Sequence, residues 1–242
     1  MTGAPADARE RAGHWATLLE FAPAALRKEI EHKARTVRAA KGRTLYGVSA
    51  RATDVFFIME GEIQVVLFSS SGRQVSINNL GAGDSFGELA ALDGLPRSAS
   101  VVAVTDVRLR AIGRDDFLAI LRSAPEAALW IARNLCGDVR RLSERVFELS
   151  ALNVQARLHC ELLRMARSTG SGRLRVEPAP THAELAARIG SNREAVTREM
   201  RALTELKIVR NSRRSLEFVD LEALERFVRR AVGETTDARS VF

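Results

Sequence analysis

Residues 86–99 read Phe86-Gly87-Glu88-Leu89-Ala90-Ala91-Leu92-Asp93-Gly94-Leu95-Pro96-Arg97-Ser98-Ala99, and the rest of the chain is arranged around them. A turn bounded by Gly87 that opens a short helix presents the backbone amides around Gly87, Glu88 and Leu89 to a small anion. Arg97 adds a charge-assisted donor able to grip anion oxygens in bidentate fashion. Glu88 has the wrong charge for a phosphate. Its carboxylate suits a sugar hydroxyl, so Glu88 and Arg97 together read as ribose-phosphate recognition. A partly exposed ion pair between Glu88 and Arg97 across a loop is the competing reading, and the residues alone leave both open.

On either side of this stretch, short β-branched or alternating runs are punctuated by Gly, Ser and Asn. They are Thr36–Ala40, Thr44–Tyr46, Val55–Met59, Glu62–Phe68, Gln74–Leu80, Ser98–Val104 and Val107–Ile112. That rhythm predicts an antiparallel barrel or jelly roll. Ser69–Gly72 is expected to close an exposed hairpin, and Gly81–Asp84 to lead into the central stretch. Ahead of the strands, Leu18, Leu19, Leu26 and Ile30 predict a helical scaffold from His14 to about Lys33, with Pro23 opening its second helix. Residues 1–13 are rich in Ala, Gly and charge and are expected to fray.

Downstream, Asp115–Leu121 reads as a short helix and Pro125 opens a long one. Ala128, Ala132, Leu135, Val139, Leu142, Val146 and Leu149 follow alternating four- and three-residue steps, the seam of a coiled coil. Two copies of this helix are expected to pair in parallel, the alternative being an amphipathic helix packed only on its own domain. Ser143 lies beside the seam, in reach of a ligand held by either subunit, and Leu142 lies in it. A bend near Ala151–Asn153, a second helix to about Arg167, the polar loop Ser168–Gly172 and a strand-like Leu174–Val176 come next. Two capping boxes, Thr181-x-x-Glu184 and Ser191-x-x-Glu194, each announce a helix start, with Leu185–Gly190 a short helix closed by Gly190. Two short helices across a tight Gly turn, with Ala186, Gly190 and Val196 inside, predict a helix-turn-helix. Its second helix, Asn192–Leu206, sets Arg193, Glu194, Thr197, Arg198 and Arg201 on one polar face and Val196, Met200 and Leu203 on the other. Lys207–Val209 and Leu216–Val219 read as a small hairpin, with Arg210, Arg213 and Arg214 facing phosphate or merely solvated. Asp220 caps a final helix ending near Val232.

The net charge is +7, and residues 151–242 carry 17 basic and 12 acidic groups against 20 and 18 in residues 1–150, so the surplus sits where a polyanion would dock. Cys136 and Cys160 have no metal-type spacing and read as reduced core residues of a soluble cytoplasmic protein. No apolar run approaches transmembrane length and the first residues lack a signal-peptide core, so no membrane association is expected. His14, His32, His159 and His182 form no ligand constellation and read as surface or cap residues. No metal, haem or iron-sulfur cluster is expected, and no Ser-His-Asp or paired-carboxylate arrangement suggests an enzyme.

The run FGELAALDGLPRSASV is similar to the phosphate-binding cassette of cyclic-nucleotide-binding domains. Cassette, seam helix and helix-turn-helix in this order, over residues 15–219, resemble the cyclic-AMP receptor protein branch of the catabolite-activator and fumarate-nitrate-regulator superfamily. The resemblance implies an α+β protein with a jelly-roll-like β-roll at 14–124, a dimerisation helix at 125–151 and a winged helix-turn-helix at 152–232. It implies cAMP or cGMP as allosteric ligand, held by Gly87, Glu88 and Leu89, with Glu88 on the ribose hydroxyl and Arg97 and Ser98 on the cyclic phosphate. Ser143 matches the family's base contact. Leu142 replaces a Thr that would hydrogen-bond the base, which leaves cGMP open beside cAMP. The resemblance also implies double-stranded DNA, a second copy of the chain and RNA polymerase as partners. Arg193, Glu194 and Arg198 reproduce the family's recognition pattern, and Asn192, Thr197 and Arg201 complete the DNA-facing set. Arg suits guanine O6 and N7 and Glu suits cytosine N4, although Glu194 could instead only complete its capping box. Each half-site should resemble TGTGA. A regulator with a vestigial pocket and a signalling subunit acting on a protein remain competing readings.

Overall fold

The computed structural model describes residues 13–68, 74–168, 174–212 and 214–233. The Ser69–Gly72 turn, the loop from residue 169 to 172, Arg213, residues 1–12 and residues 234–242 lie outside these. The chain forms two compact units that divide between Asp138 and Val139. This boundary falls inside the long helix. Its first half buries Ala127 and Ile131 in the first unit's core, with Trp130 and Leu135 against them.

The first unit opens with α1 (Gly13–Phe21) and α2 (Ala24–Lys33). The strands β1 (Arg35–Ala39), β2 (Thr44–Tyr46), β3 (Val55–Glu60), β4 (Ile63–Phe68), β5 (Gln74–Leu80) and β6 (Ser85–Phe86) follow. Next come α3 (Glu88–Asp93), β7 (Ser100–Ala103), β8 (Val107–Ile112), α4 (Arg114–Ser123) and the first half of α5 (Pro125–Ala151). Two antiparallel four-stranded sheets, ordered β1-β8-β3-β6 and β2-β7-β4-β5, make the β-roll. Side chains alternate across each strand, so Ile58, Phe86, Val107 and Leu109 of one sheet meet Ile63, Val101 and Ala103 of the other. The opposite side of the first sheet offers Val55, Phe57 and Ile112 to Leu18, Ile30, Phe117 and Ile120 of the helices. Pairing of Phe56 with Phe86 and Phe57 with Ser85 brings the head of α3 against β3. This positions the candidate pocket.

The second unit holds the rest of α5, then α6 (Val154–Ser168), β9 (Arg175–Val176), α7 (His182–Ile189), α8 (Arg193–Glu205), β10 (Val209–Asn211), β11 (Leu216–Phe218) and α9 (Leu221–Val232). Its small sheet runs β10-β11-β9, and its core includes Leu158, Cys160, Leu162, Val196, Leu203, Phe218 and Leu224. Burial pushes the Cys160 thiol up to about 12. Cys136, expected in a core, is exposed. His159, expected at the surface, is buried. His14 is half-buried, bonded to Ser85 Oγ at 2.8 Å and set edge-on to Trp130. No helix among the described residues is long and apolar enough to cross a membrane.

Only one of the two expected capping boxes forms. Thr181 Oγ1 accepts from the Glu184 amide at 3.2 Å, and Glu184 Oε2 accepts from the Thr181 amide at 2.7 Å. Ser191 instead belongs to the turn after Gly190, which sits at φ 64°, and its amide donates to Ala186 O at 2.9 Å. Asn192 therefore caps α8, its Oδ1 accepting from the Ala195 amide at 2.8 Å. Asp220 caps α9 in the same way through Ala223.

Candidate ligand pocket and nucleic-acid interface

Gly87 caps α3 at φ 95°. A Cβ there would stand 2.5 Å from Arg97 Nη1 and 2.7 Å from Asp54 O, so only glycine lets the guanidinium settle against the turn. Arg97 is only 3% exposed. Its Nη1 donates to Gly87 O at 2.9 Å and its Nη2 to Asp54 O at 2.6 Å. Its Nε, shielded from solvent, has no partner. The backbone of Arg97 is clamped too: its amide donates to Ala50 O and its carbonyl accepts from the Ser49 amide, both at 2.9 Å. Ser49 holds φ 66° to do so, a left-handed conformation that costs a non-glycine residue energy.

Glu88 does not pair with Arg97. Its Oε2 is shielded from water and makes no hydrogen bond. Burial pushes the carboxyl up to about 7; its own backbone amide draws it back, Asp138 raises it and Arg97 lowers it. Buried polar atoms normally find partners, so an unmet donor on Arg97 and an unmet acceptor on Glu88 mark a place for a ligand that is both anionic and hydroxylated. Of the remaining cassette residues, Leu89 and Ser98 are exposed. Leu142 and Ser143 belong to the second unit. Leu142 is exposed, and Ser143 Oγ donates to Val139 O at 2.9 Å.

An aromatic bed under Arg97 escaped the sequence reading. The guanidinium carbon lies 4.2 Å from the centroid of the Tyr46 ring and 5.8 Å from that of Phe56. Tyr46 stands on β2, and nothing in its local sequence ties it to Arg97. The pairing of β2 with β7, just beyond Arg97, does so.

In the second unit, α8 turns Val196, Met200 and Leu203 inward, and Arg193, Glu194, Thr197, Arg198 and Arg201 are exposed with Asn192. Arg193, Glu194, Thr197 and Arg198 line one shallow depression. Arg193 and Arg198 make no ion pair among the described residues, whereas Arg201 is held by Glu205 at 2.9 Å and, on the wing, Arg210 by Glu217 at 2.8 Å. Since Asn192 is the cap, Glu194 has no capping duty. Thr197 Oγ1 donates to Arg193 O and meets His182 Nδ1, both at 2.8 Å, so the hydroxyl is largely committed inside the protein. Behind the helix, buried Glu199 bonds His159 Nε2 and Gln155 Nε2, each at 2.7 Å, which fixes α8 on α6. Glu148 at the end of α5 is bridged by Arg145 and Arg164, and Arg164 in turn binds Glu161, which accepts from Arg188 of α7. None of these partners was legible from motifs. No cluster of three or more potential metal ligands occurs among the described residues.

Residues 36–124 match the cyclic nucleotide-binding domain family, and residues 156–227 match the Crp-like helix-turn-helix domain family. The chain is 31% identical over 188 residues to a cyclic AMP receptor protein of Thermus thermophilus, covering 76% of this chain and 84% of that protein. It is 28% identical over 222 residues to a CRP-like cAMP-activated global transcriptional regulator of Mycobacterium tuberculosis, covering 90% of this chain and 97% of that protein. Among solved structures, a CRP-family transcriptional regulator from Thermus thermophilus superposes with a TM-score of 0.66 at 27% identity, covering 79% of this chain and 96% of that one. With both domain families matched in this order and whole-length relatives of one kind, the chain belongs to the CRP/FNR superfamily of transcription regulators, in its cyclic-nucleotide-binding branch.

Proposed function

We propose that this chain is a homodimeric transcription regulator that binds a palindromic DNA site when cAMP or cGMP occupies the β-roll pocket. The observation that carries the reading is the pair of unmet groups, Arg97 Nε and Glu88 Oε2, both shielded from solvent within the one 86–99 stretch. A cyclic nucleotide supplies the anion for the first and a ribose hydroxyl for the second. Dimerisation is supported by the seam: Val139, Leu142, Val146 and Leu149 are each more than 40% exposed, an apolar stripe that a single chain leaves in water. A pocket without a ligand is the second reading, favoured by the two carbonyls that already hold Arg97. Calorimetric titration with each nucleotide, followed by gel shifts on palindromic DNA with and without it, separates the two readings. DNA affinity that ignores both nucleotides would favour the second.

Leu142 can neither donate nor accept a side-chain hydrogen bond, so discrimination between cAMP and cGMP should be modest, within about tenfold, and Leu142→Thr should move preference towards cAMP. Parallel titrations of both proteins measure this. A native preference for cAMP of several hundredfold would show that other groups read the base.

Glu88 gives the binding a pH dependence. A carboxyl raised to about 7 stabilises the unliganded protein below the ordinary carboxylate range, and this contribution is lost as pH rises through 7. A ribose hydroxyl donating to Glu88 favours the ionised form. Binding should therefore release a proton near pH 7, and affinity should fall by up to about tenfold per pH unit below it. Calorimetry in buffers of different ionisation enthalpy reads the proton directly. Proton uptake, or the same release from Glu88→Gln, would refute the assignment.

A further inference from the structure

A guanidinium that is 3% exposed must replace nearly all of its hydration with protein contacts. Two carbonyls take Nη1 and Nη2 of Arg97, but both bonds lie in the plane of the group. The face is covered by the ring of Tyr46, whose centroid is 4.2 Å from Cζ, well inside the range of a cation–π contact and closer than Phe56 at 5.8 Å. The Tyr46 ring is itself held. It lies 6.0 Å from both Phe56 and Phe86, and these two stack on each other at 5.1 Å. Burial pushes the Tyr46 phenol up to about 12, with Arg97 pulling it down and Glu88 pushing it further up, so the ring stays neutral and feels both charged groups of the pocket.

We propose that Tyr46 is a positioning residue for ligand binding: its ring fixes the plane of the Arg97 guanidinium so that Nε is presented to the phosphate. The inference rests on the nucleotide reading of the pocket. Without the ring, the two carbonyl bonds still hold the outer nitrogens, but the group can tilt about the line joining them and Nε swings away from the anion. Arginine is required for this, because its planar fork stacks while it donates in plane, and a lysine ammonium does not.

Titration of the full chain with cAMP and with cGMP tests the proposal in four proteins: wild type, Tyr46→Phe, Tyr46→Leu and Arg97→Lys, together with the Tyr46→Leu/Arg97→Lys double variant. Tyr46→Phe keeps the ring and should bind within about twofold of wild type. Tyr46→Leu should lose roughly ten- to thirtyfold, the range of a desolvated cation–π contact. In the Arg97→Lys background the same leucine substitution should cost little further, because the plane it protects is gone. Thermal unfolding of each protein, and its DNA affinity without nucleotide, checks that the fold persists. Tyr46→Met fills the volume without a π face and replaces the leucine variant if that one unfolds. Equal losses in Tyr46→Phe and Tyr46→Leu would assign the effect to the hydroxyl and overturn the ring's role, as would a leucine cost unchanged beside Arg97→Lys. Wild-type protein that binds neither nucleotide would overturn the proposed function and this inference together. Nucleotide binding that Tyr46→Leu leaves intact would overturn this inference alone.

Discussion

Replacing Arg97 by leucine should remove cyclic-nucleotide binding at any practical concentration. Hydrogen bonds to charged groups are worth about 1.5 to 3 kcal/mol each, so losing a bidentate contact costs some 3 to 6 kcal/mol, about two to four orders of magnitude in affinity. The bound phosphate would also sit beside a desolvated apolar wall with no counter-charge. The protein itself should weaken as well, because Asp54 O loses its donor and Gly87 O keeps only the 3.4 Å bond from the Ala91 amide. An orphaned carbonyl costs about 1 to 3 kcal/mol. Arg97→Lys is the companion variant: it keeps a charge, spares part of the stability and should still lose most of the affinity, since a compact ammonium lacks the planar fork that spans both carbonyls while donating to the anion. Calorimetric titration gives the affinities, and thermal unfolding followed by circular dichroism gives the stability. A folded Arg97→Leu protein that binds nucleotide as the wild type does would reduce Arg97 to a tie between β3 and the α3 turn.

What could be read from residues alone was whatever is fixed locally. Thr44–Tyr46, Gln74–Leu80 and Val107–Ile112 announce their strands by alternation and β-branching, and the structure has each with the same bounds. Pro125 marks a helix start because it has no amide to leave unpaired, and Asp220 because its carboxylate accepts from the Ala223 amide of the first turn. β6 is two residues long and carries no periodicity, so Ser85 and Phe86 could be placed only by their pairing with Phe57 and Phe56. The second capping box failed for a related reason. Spacing pointed to Ser191 as the cap of α8, but the Gly190 turn takes the Ser191 amide for Ala186 O and leaves the cap to Asn192. In the pocket, Gly87, Glu88 and Arg97 were legible because they share one short stretch. The ring of Tyr46, the carbonyl of Asp54 and the charge of Asp138 reach them through tertiary pairing. His159 was misjudged on the same ground: its partner Glu199 lies on another helix, and the two bury each other.

The DNA-facing surface supports the second large effect. Arg193→Ala should weaken binding to the cognate palindrome far more than binding to random DNA. Arg193 and Arg198 are exposed on α8 and make no ion pair among the described residues, so their donors are available to base edges at little internal cost. A bidentate arginine–guanine contact discriminates by about 1 to 3 kcal/mol, and a dimer makes it twice, so the palindrome should lose about 2 to 6 kcal/mol. Arg201, already tied to Glu205, serves as the internal comparison: Arg201→Ala should cost less and should act alike on both DNAs. On the proposed homodimer reading, the two α8 helices should enter successive major grooves, with half-site centres about ten base pairs apart. Nucleotide can favour that arrangement only by binding it more tightly, and a coupling of about 1 to 3 kcal/mol would make DNA affinity rise five- to 150-fold on saturation. Because the chain's basic surplus adds a salt-dependent term common to all sequences, gel shifts on both DNAs need one fixed ionic strength. Equal losses from Arg193→Ala on palindrome and random DNA would make Arg193 a phosphate contact, and the guanine assignment in the half-site would then pass to Arg198 alone.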